Sequence, residues 1–231
     1  VKVRNQIAQK LGYENYHTMN MTLSEQNPET ILALFNELDS LTYGAFAQLK
    51  GDIDNYLSKR YKISADKLMP WHYQNRYFQE APKIYSVDLD KYYADKDIVA
   101  LTAKFYNGIS LNVDDIIAKS DLFEKPGKNQ HAYCTDIDRS GDVRVLCNLK
   151  PTYGWMNTNL HEFGHAVYSK FNDPTRPYML RDAAHSFTTE AIAMIMGRLA
   201  SNPQWMLDMG IITPEQKKEI EGDCFKSLRL E

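Results

Sequence analysis

The sequence is short of several things, and each shortage excludes something. Only 3 of the 231 residues are cysteine, at Cys134, Cys147 and Cys224. That number and wide spacing suit neither a disulfide framework nor a four-cysteine metal site. No apolar run approaches the roughly 18–20 residues that a membrane-spanning helix needs. Charge of one sign is also lacking. The net charge is −3, which gives no electrostatic footprint for nucleic acid. The chain opens on Val1 with no initiator Met and no basic-plus-apolar leader, so the expectation is a processed chain or a piece of a longer one. Reduced-looking cysteines point to the cytoplasm, with a periplasmic or secreted location open if a leader preceded Val1.

What is present is an ordinary globular composition, 43% hydrophobic and 25% charged. Most of it reads as helix. Leu32, Phe35, Leu38, Leu41, Ala45 and Leu49 recur at three- and four-residue steps, which predicts one or two amphipathic helices from about Pro28 to Tyr61. Asn27 is the expected N-cap, and Pro28 fits a first turn. Shorter helices are expected over Trp71–Gln79, Asp97–Tyr106 and Val113–Lys119, and later over Thr158–Phe171, His185–Ala200 and Pro214–Leu228. Between them, His131–Ile137 and Val143–Leu149 are partly β-branched runs joined by Asp138-Arg139-Ser140-Gly141-Asp142, a Gly-containing hairpin loop. The fold class is therefore mainly α with one small antiparallel hairpin. Within a single region 1–231 the expected parts are helices over 1–125, a hairpin over 130–150 and site helices over 156–200.

The chemistry concentrates in His161-Glu162-Phe163-Gly164-His165. Residues four apart share a helix face, so both imidazoles can reach one Zn²⁺. Glu162 is offset by one position. It can lie beside the metal as a base for an activated water without filling a ligand place. A catalytic zinc site needs a third ligand and an open position. No further Gly-x-x-His follows His165, which argues against a third histidine. Glu190 is the best third ligand, a carboxylate inside the apolar run Ser186–Met196, with Asp182 as runner-up.

The motif His-Glu-Phe-Gly-His-Ala, with Thr-Thr-Glu ending 25 positions after the second His, resembles the glutamate-liganded zinc peptidases, or gluzincins. The similarity is to the thimet-oligopeptidase family and its angiotensin-converting-enzyme-like relatives, and is strongest over 130–197. Arg4-Asn5-x-Ile7-Ala8-x-x-Leu11-Gly12-Tyr13-x-Asn15-Tyr16 is similar to a segment upstream of the catalytic region in that superfamily. The resemblance implies a zincin-type helical domain, Zn²⁺ on His161, His165 and Glu190, and Glu162 as general base and proton donor. It also implies a short peptide as partner, laid along an edge strand at His131 and Ala132. A β-augmented peptide is held by backbone pairing, whatever its sequence.

Two departures stand out. Met194 occupies the place where the converting-enzyme relatives carry an acid supporting a ligand histidine, leaving Asn157 and Asp182 as candidates for that support. The 41 residues after Glu190 contain neither the Tyr nor the His that those families use to stabilise an oxyanion. The expected function is thus zinc-dependent hydrolysis of oligopeptides, as oligopeptidase or peptidyl-dipeptidase. The alternative is a catalytically incomplete zinc-containing domain that binds peptides or is structural.

Other residues read more plainly. His185 is structural or substrate-facing. Trp71, His72, Tyr73, Arg76 and Tyr77 suggest aromatic core packing, with a substrate wall as the alternative. Tyr153-Gly154-Trp155 reads as a turn before the zinc helix. Asp136, Asp138 and Asp142 lack EF-hand spacing and read as solvated turn residues. Cys134 and Cys147 lack the electropositive surroundings of reactive thiols.

Overall fold

A computed structural model describes residues 1–73 and 80–230. The chain divides into two compact units, Val1–Ile84 and Tyr85–Glu231. Its character is mainly α with a single two-stranded antiparallel sheet, as the periodicities require.

In the first unit, α1 (Lys2–Lys10) and α2 (Tyr16–Leu23) are joined by a tight corner. Gly12 turns it at φ +88, a conformation glycine adopts without a Cβ penalty. Asn15 caps α2 by accepting the Thr18 N–H at 2.9 Å, and Asn5 accepts the Tyr16 N–H at 3.1 Å. The Arg4–Tyr16 segment is thus a self-capping helical corner. Helix α3 (Pro28–Tyr61) begins where the Asn27-Pro28 signal places it, with the Asn27 side chain accepting from Thr30. Lys50, Asp54 and Tyr73 form a hydrogen-bonded triad that pins a short 3₁₀ turn, Pro70–Tyr73, to α3. Trp71 in this turn is 71% exposed, so it is not core. The remainder of the helix expected to Gln79, with Arg76 and Tyr77, lies outside the described residues.

The second unit holds α4 (Ile98–Gly108), α5 (Asp114–Lys119), β1 (Tyr133–Asp136), β2 (Val143–Leu146), α6 (Tyr153–Lys170), α7 (Ser186–Arg198), α8 (Pro203–Asp208) and α9 (Pro214–Leu230). Helix α6 starts earlier than the sequence suggests. Thr152 accepts the Trp155 N–H through its side chain, and that cap makes Tyr153-Gly154-Trp155 the first helical turn rather than a separate turn.

Helix α6 is the axis of the unit's core. Met156, Leu160, Phe163, Ala166 and Val167 are buried, with Tyr106, Val143, Val145 and Met206 in the same cluster. Two buried tyrosines donate to backbone carbonyls, Tyr106 to Leu160 at 2.5 Å and Tyr93 to Ala200 at 2.6 Å. Burial pushes both phenols well above their ordinary pKa, so they remain donors. Asn159, fully buried, donates to Thr102 Oγ1 at 2.7 Å and lies 3.6 Å from the Cys147 thiol.

The sheet has one covered and one open edge. Val145 of β2 receives the Asp121 N–H on its carbonyl and donates its own N–H to Ser120 Oγ. Its partner across the ladder is Cys134. Val145 spends both backbone groups on that other side, so Cys134 sits in a non-hydrogen-bonded pair with its N–H and C=O pointing outward. Cys134 therefore faces Val145 across the ladder. The Ile137 N–H still bonds Asp142, so the turn is tighter than the loop expected from the sequence. Asp138 closes it by accepting the Ser140 and Asp142 N–H groups.

Candidate active site

Helix α6 presents His161 and His165 one turn apart, and α7 brings Glu190 to them. His161 Nε2 lies 3.4 Å from one Glu190 carboxylate oxygen, and His165 Nε2 lies 3.5 Å from the other. The two Nε2 atoms are 3.2 Å apart. One ligand atom from each of the three residues falls within 4.8 Å of the others, the one such group among the described residues. Small residues allow this approach. A Cβ on Gly164 would lie 2.8 Å from the Ala193 Cα, and one on Gly197 would lie 3.0 Å from Asn157 Oδ1. The helices meet backbone to backbone at Gly164, which carries Glu190 within reach of both histidines.

Glu162 points into a different environment. It is 8% exposed and lies beside the Cys134 backbone N–H on the open edge of β1, which favours its charged form. Burial pushes its pKa up to about 7, the nearby Glu190 charge adds to the rise, and the Cys134 backbone N–H opposes it. His161 is shifted the other way, first by burial and then by His165, with Glu190 opposing. The Cys134 thiol, buried beside Glu162 and Asp136, is pushed up to about 12 and is no nucleophile at neutral pH.

These groups open on a cavity of about 670 Å³. One wall is Ala132 and the β1 edge that follows it to Asp136, and another carries His161, Glu162, His165 and Glu190. Arg139 on the hairpin, and Arg181 and Asp182 on the segment leading to α7, complete it.

Ala132 is on the cavity wall, whereas His131 is exposed in a bend before the strand, its N–H on Asn129 Oδ1 at 3.0 Å. Asp182 also reaches the cavity but is paired with Arg139 at 3.0 Å. Asn157 packs against Gly197. His185 stacks on Phe187 at 5.1 Å, not on the cavity wall. Asp142 is paired with Arg144 and Lys119, a solvated turn residue. Sequence reasoning missed the Cys134 N–H, Arg139 and Arg181. The first is a backbone group and carries no residue signal. The two arginines sit 42 residues apart and are joined only by the fold.

Two imidazoles and a carboxylate, converging with a cavity on their open side, are the donor set that zinc takes when one coordination position is kept for chemistry. A helix pair built this way, with a buried carboxylate beside His161, His165 and Glu190 and a strand edge alongside, has the form of a metal-dependent hydrolase site. The family model described as Peptidase family M3 matches residues 1–229, and the chain belongs to that family. It is thereby a metallopeptidase chain acting on peptides.

Proposed function

We propose that the chain hydrolyses peptide bonds in short, extended peptides, with Zn²⁺ held by His161, His165 and Glu190. The observation that carries this reading is the position of Glu162, buried beside His161, His165 and Glu190 and next to the open strand edge. When bound, zinc would polarise the scissile carbonyl and make a water acidic enough to be deprotonated near neutrality.

The chain's own residues do the rest. Glu162 takes the proton of the attacking water and returns it to the leaving amine. A carboxylate placed beside the water and the leaving group can accept a proton and then return it. The outward backbone groups of β1 pair with the peptide main chain and hold it extended. Ala132 provides clearance on that wall, and His131 is a donor to a peptide carbonyl just before the strand. Backbone pairing with a wall of this kind suits oligopeptides rather than folded proteins, as oligopeptidase or peptidyl-dipeptidase.

The test is metal analysis with a quenched-peptide assay on the parent chain and Glu162→Gln. Both should hold one zinc per chain. The parent should cleave, and the variant should be at least about 100-fold slower, the lower range for losing an acid–base group. Stoichiometric zinc with no cleavage by the parent would leave a peptide-binding domain instead. Zinc near zero with all three ligands intact would remove both readings.

A further inference from the structure

The cavity carries two arginines that the hydrolytic reading does not use, Arg139 and Arg181. Strand β1 follows Ala132 and runs past Cys134, whose N–H lies beside Glu162, to Asp136 and then into the hairpin turn. Both guanidinium groups belong to that far end. Arg139 is a non-glycine residue at φ +52, a left-handed conformation that costs of order 1 kcal/mol. The turn so formed lays its guanidinium 5.2 Å from the Tyr178 ring centroid and 3.0 Å from Asp182. Arg139 is therefore neutralised.

Arg181 is held differently. Its Nε–H donates to the Arg176 carbonyl at 2.8 Å and its NH1 to Ser140 Oγ at 3.0 Å. Both acceptors are uncharged, and the Asp173 carboxylate, which accepts from Thr175, interacts with Arg181 through space rather than by a hydrogen bond. A guanidinium has five N–H donors in a planar fork, so a fork fixed from two sides still has donors to offer. Such a fork matches a carboxylate in a bidentate geometry, and its orientation is already set before binding.

We propose that Arg181 is a specificity-determining residue that binds a carboxylate carried by the peptide. This rests on the reading that the peptide lies along β1. The carboxylate therefore falls on the part of the peptide toward the hairpin turn, away from the bond beside Glu162. Its source is an Asp or Glu side chain, or the peptide's own C-terminus. Asp136 lines the same cavity with one carboxylate oxygen buried and without a hydrogen-bond partner, which makes an amine-bearing peptide the rival occupant.

The experiment reads binding without turnover. Fluorescent peptides are titrated into the zinc-loaded Glu162→Gln chain, with or without Arg181→Gln. The set is a neutral peptide amide, the same amide with Glu or Lys placed at each position in turn, and the free acid. A Glu position or the free C-terminus should bind about 10- to 100-fold more tightly than the neutral amide, the range for a charged hydrogen bond. Arg181→Gln should abolish that advantage while the neutral amide keeps its affinity. Tighter binding of Glu amides identifies a side chain as the source, and tighter binding of the free acid alone identifies the C-terminus.

Equal affinity for all peptides, or no binding, overturns the assignment. So does an acidic preference that survives Arg181→Gln, an equal loss on every peptide, or a Lys preference abolished by Asp136→Asn. Cleavage of the neutral amide by the parent chain is scored separately. Its absence, with the acidic preference intact, removes the hydrolytic reading and leaves the Arg181 assignment standing.

Discussion

Gly164 and Ala193 are in backbone contact. A Cβ built on Gly164 would lie 2.8 Å from the Ala193 Cα, a distance that side-chain rotation cannot relieve. This contact sets the spacing between the helix bearing His161 and His165 and the helix bearing Glu190.

Gly164→Ala should therefore do more than overpack. Inserting a methyl group into a packed core costs about 1–3 kcal/mol, and here α6 and α7 must also separate. The expected result is a urea midpoint lowered by a corresponding amount together with weakened zinc binding. Gly197→Ala meets the Asn157 side chain at 3.0 Å and the Asn157 carbonyl at 3.2 Å, both looser than the 2.8 Å approach at Gly164, and should cost less. Equal losses in the two variants would show that the Gly164 contact has no special role in the site.

Glu190→Gln separates metal affinity from folding. The Glu190 side chain is 53% exposed and packs little, so the metal-free chain should keep its stability within about 0.5 kcal/mol. Groups that merely support metal ligands are worth about 10- to 100-fold in affinity, so loss of a charged ligand should weaken zinc binding by at least that much. A competition titration against a chelator reads it. Unchanged affinity would remove Glu190 from the ligand set.

Much of this arrangement is legible in the residues. The Asn27-Pro28 start of α3 follows from capping chemistry, and the fourfold spacing of His161 and His165 follows from helix geometry. Glu190 stands out because a carboxylate in an apolar run needs a reason. Three features were not legible. The first turn of α6 depends on a Thr152 cap that competes with a plausible turn reading of Gly154. Helices α1, α2 and α8 are too short for periodicity to announce. The approach of the Cys134 N–H to Glu162 depends on which backbone groups Val145 spends elsewhere, a matter of register that side-chain patterns do not encode.

Glu162 should leave a pH signature on the metal-free chain. Its folded-state pKa, about 7, lies above the ordinary 4.5. The folded chain therefore binds more protons between these values, and stability falls as pH rises. The stabilisation is fully present below about 4.5 and is lost as pH passes through about 7. At 1.36 kcal/mol per pKa unit the change amounts to at most about 3 kcal/mol. Urea midpoints of the metal-free parent should fall over this interval relative to those of Glu162→Gln. A constant difference between the two chains would show that Glu162 ionises as freely in the folded state as in the unfolded one.

Asn159→Ala tests the polar pin under the site helix. Asn159 is fully buried, and its side chain donates to Thr102 Oγ1, which itself donates to the Ile98 carbonyl. Truncation deletes the α4–α6 hydrogen bond and leaves a small void in the core. An unmade buried hydrogen bond costs about 1–3 kcal/mol, so a loss of about 2–4 kcal/mol is expected once the void is included. Asn159 does not touch the ligands, so zinc affinity measured well below the unfolding midpoint should stay within about threefold of the parent. A large affinity loss at intact stability would mean that Asn159 sets the pitch of α6 at His161, so that the pin shapes the site as well as supporting it.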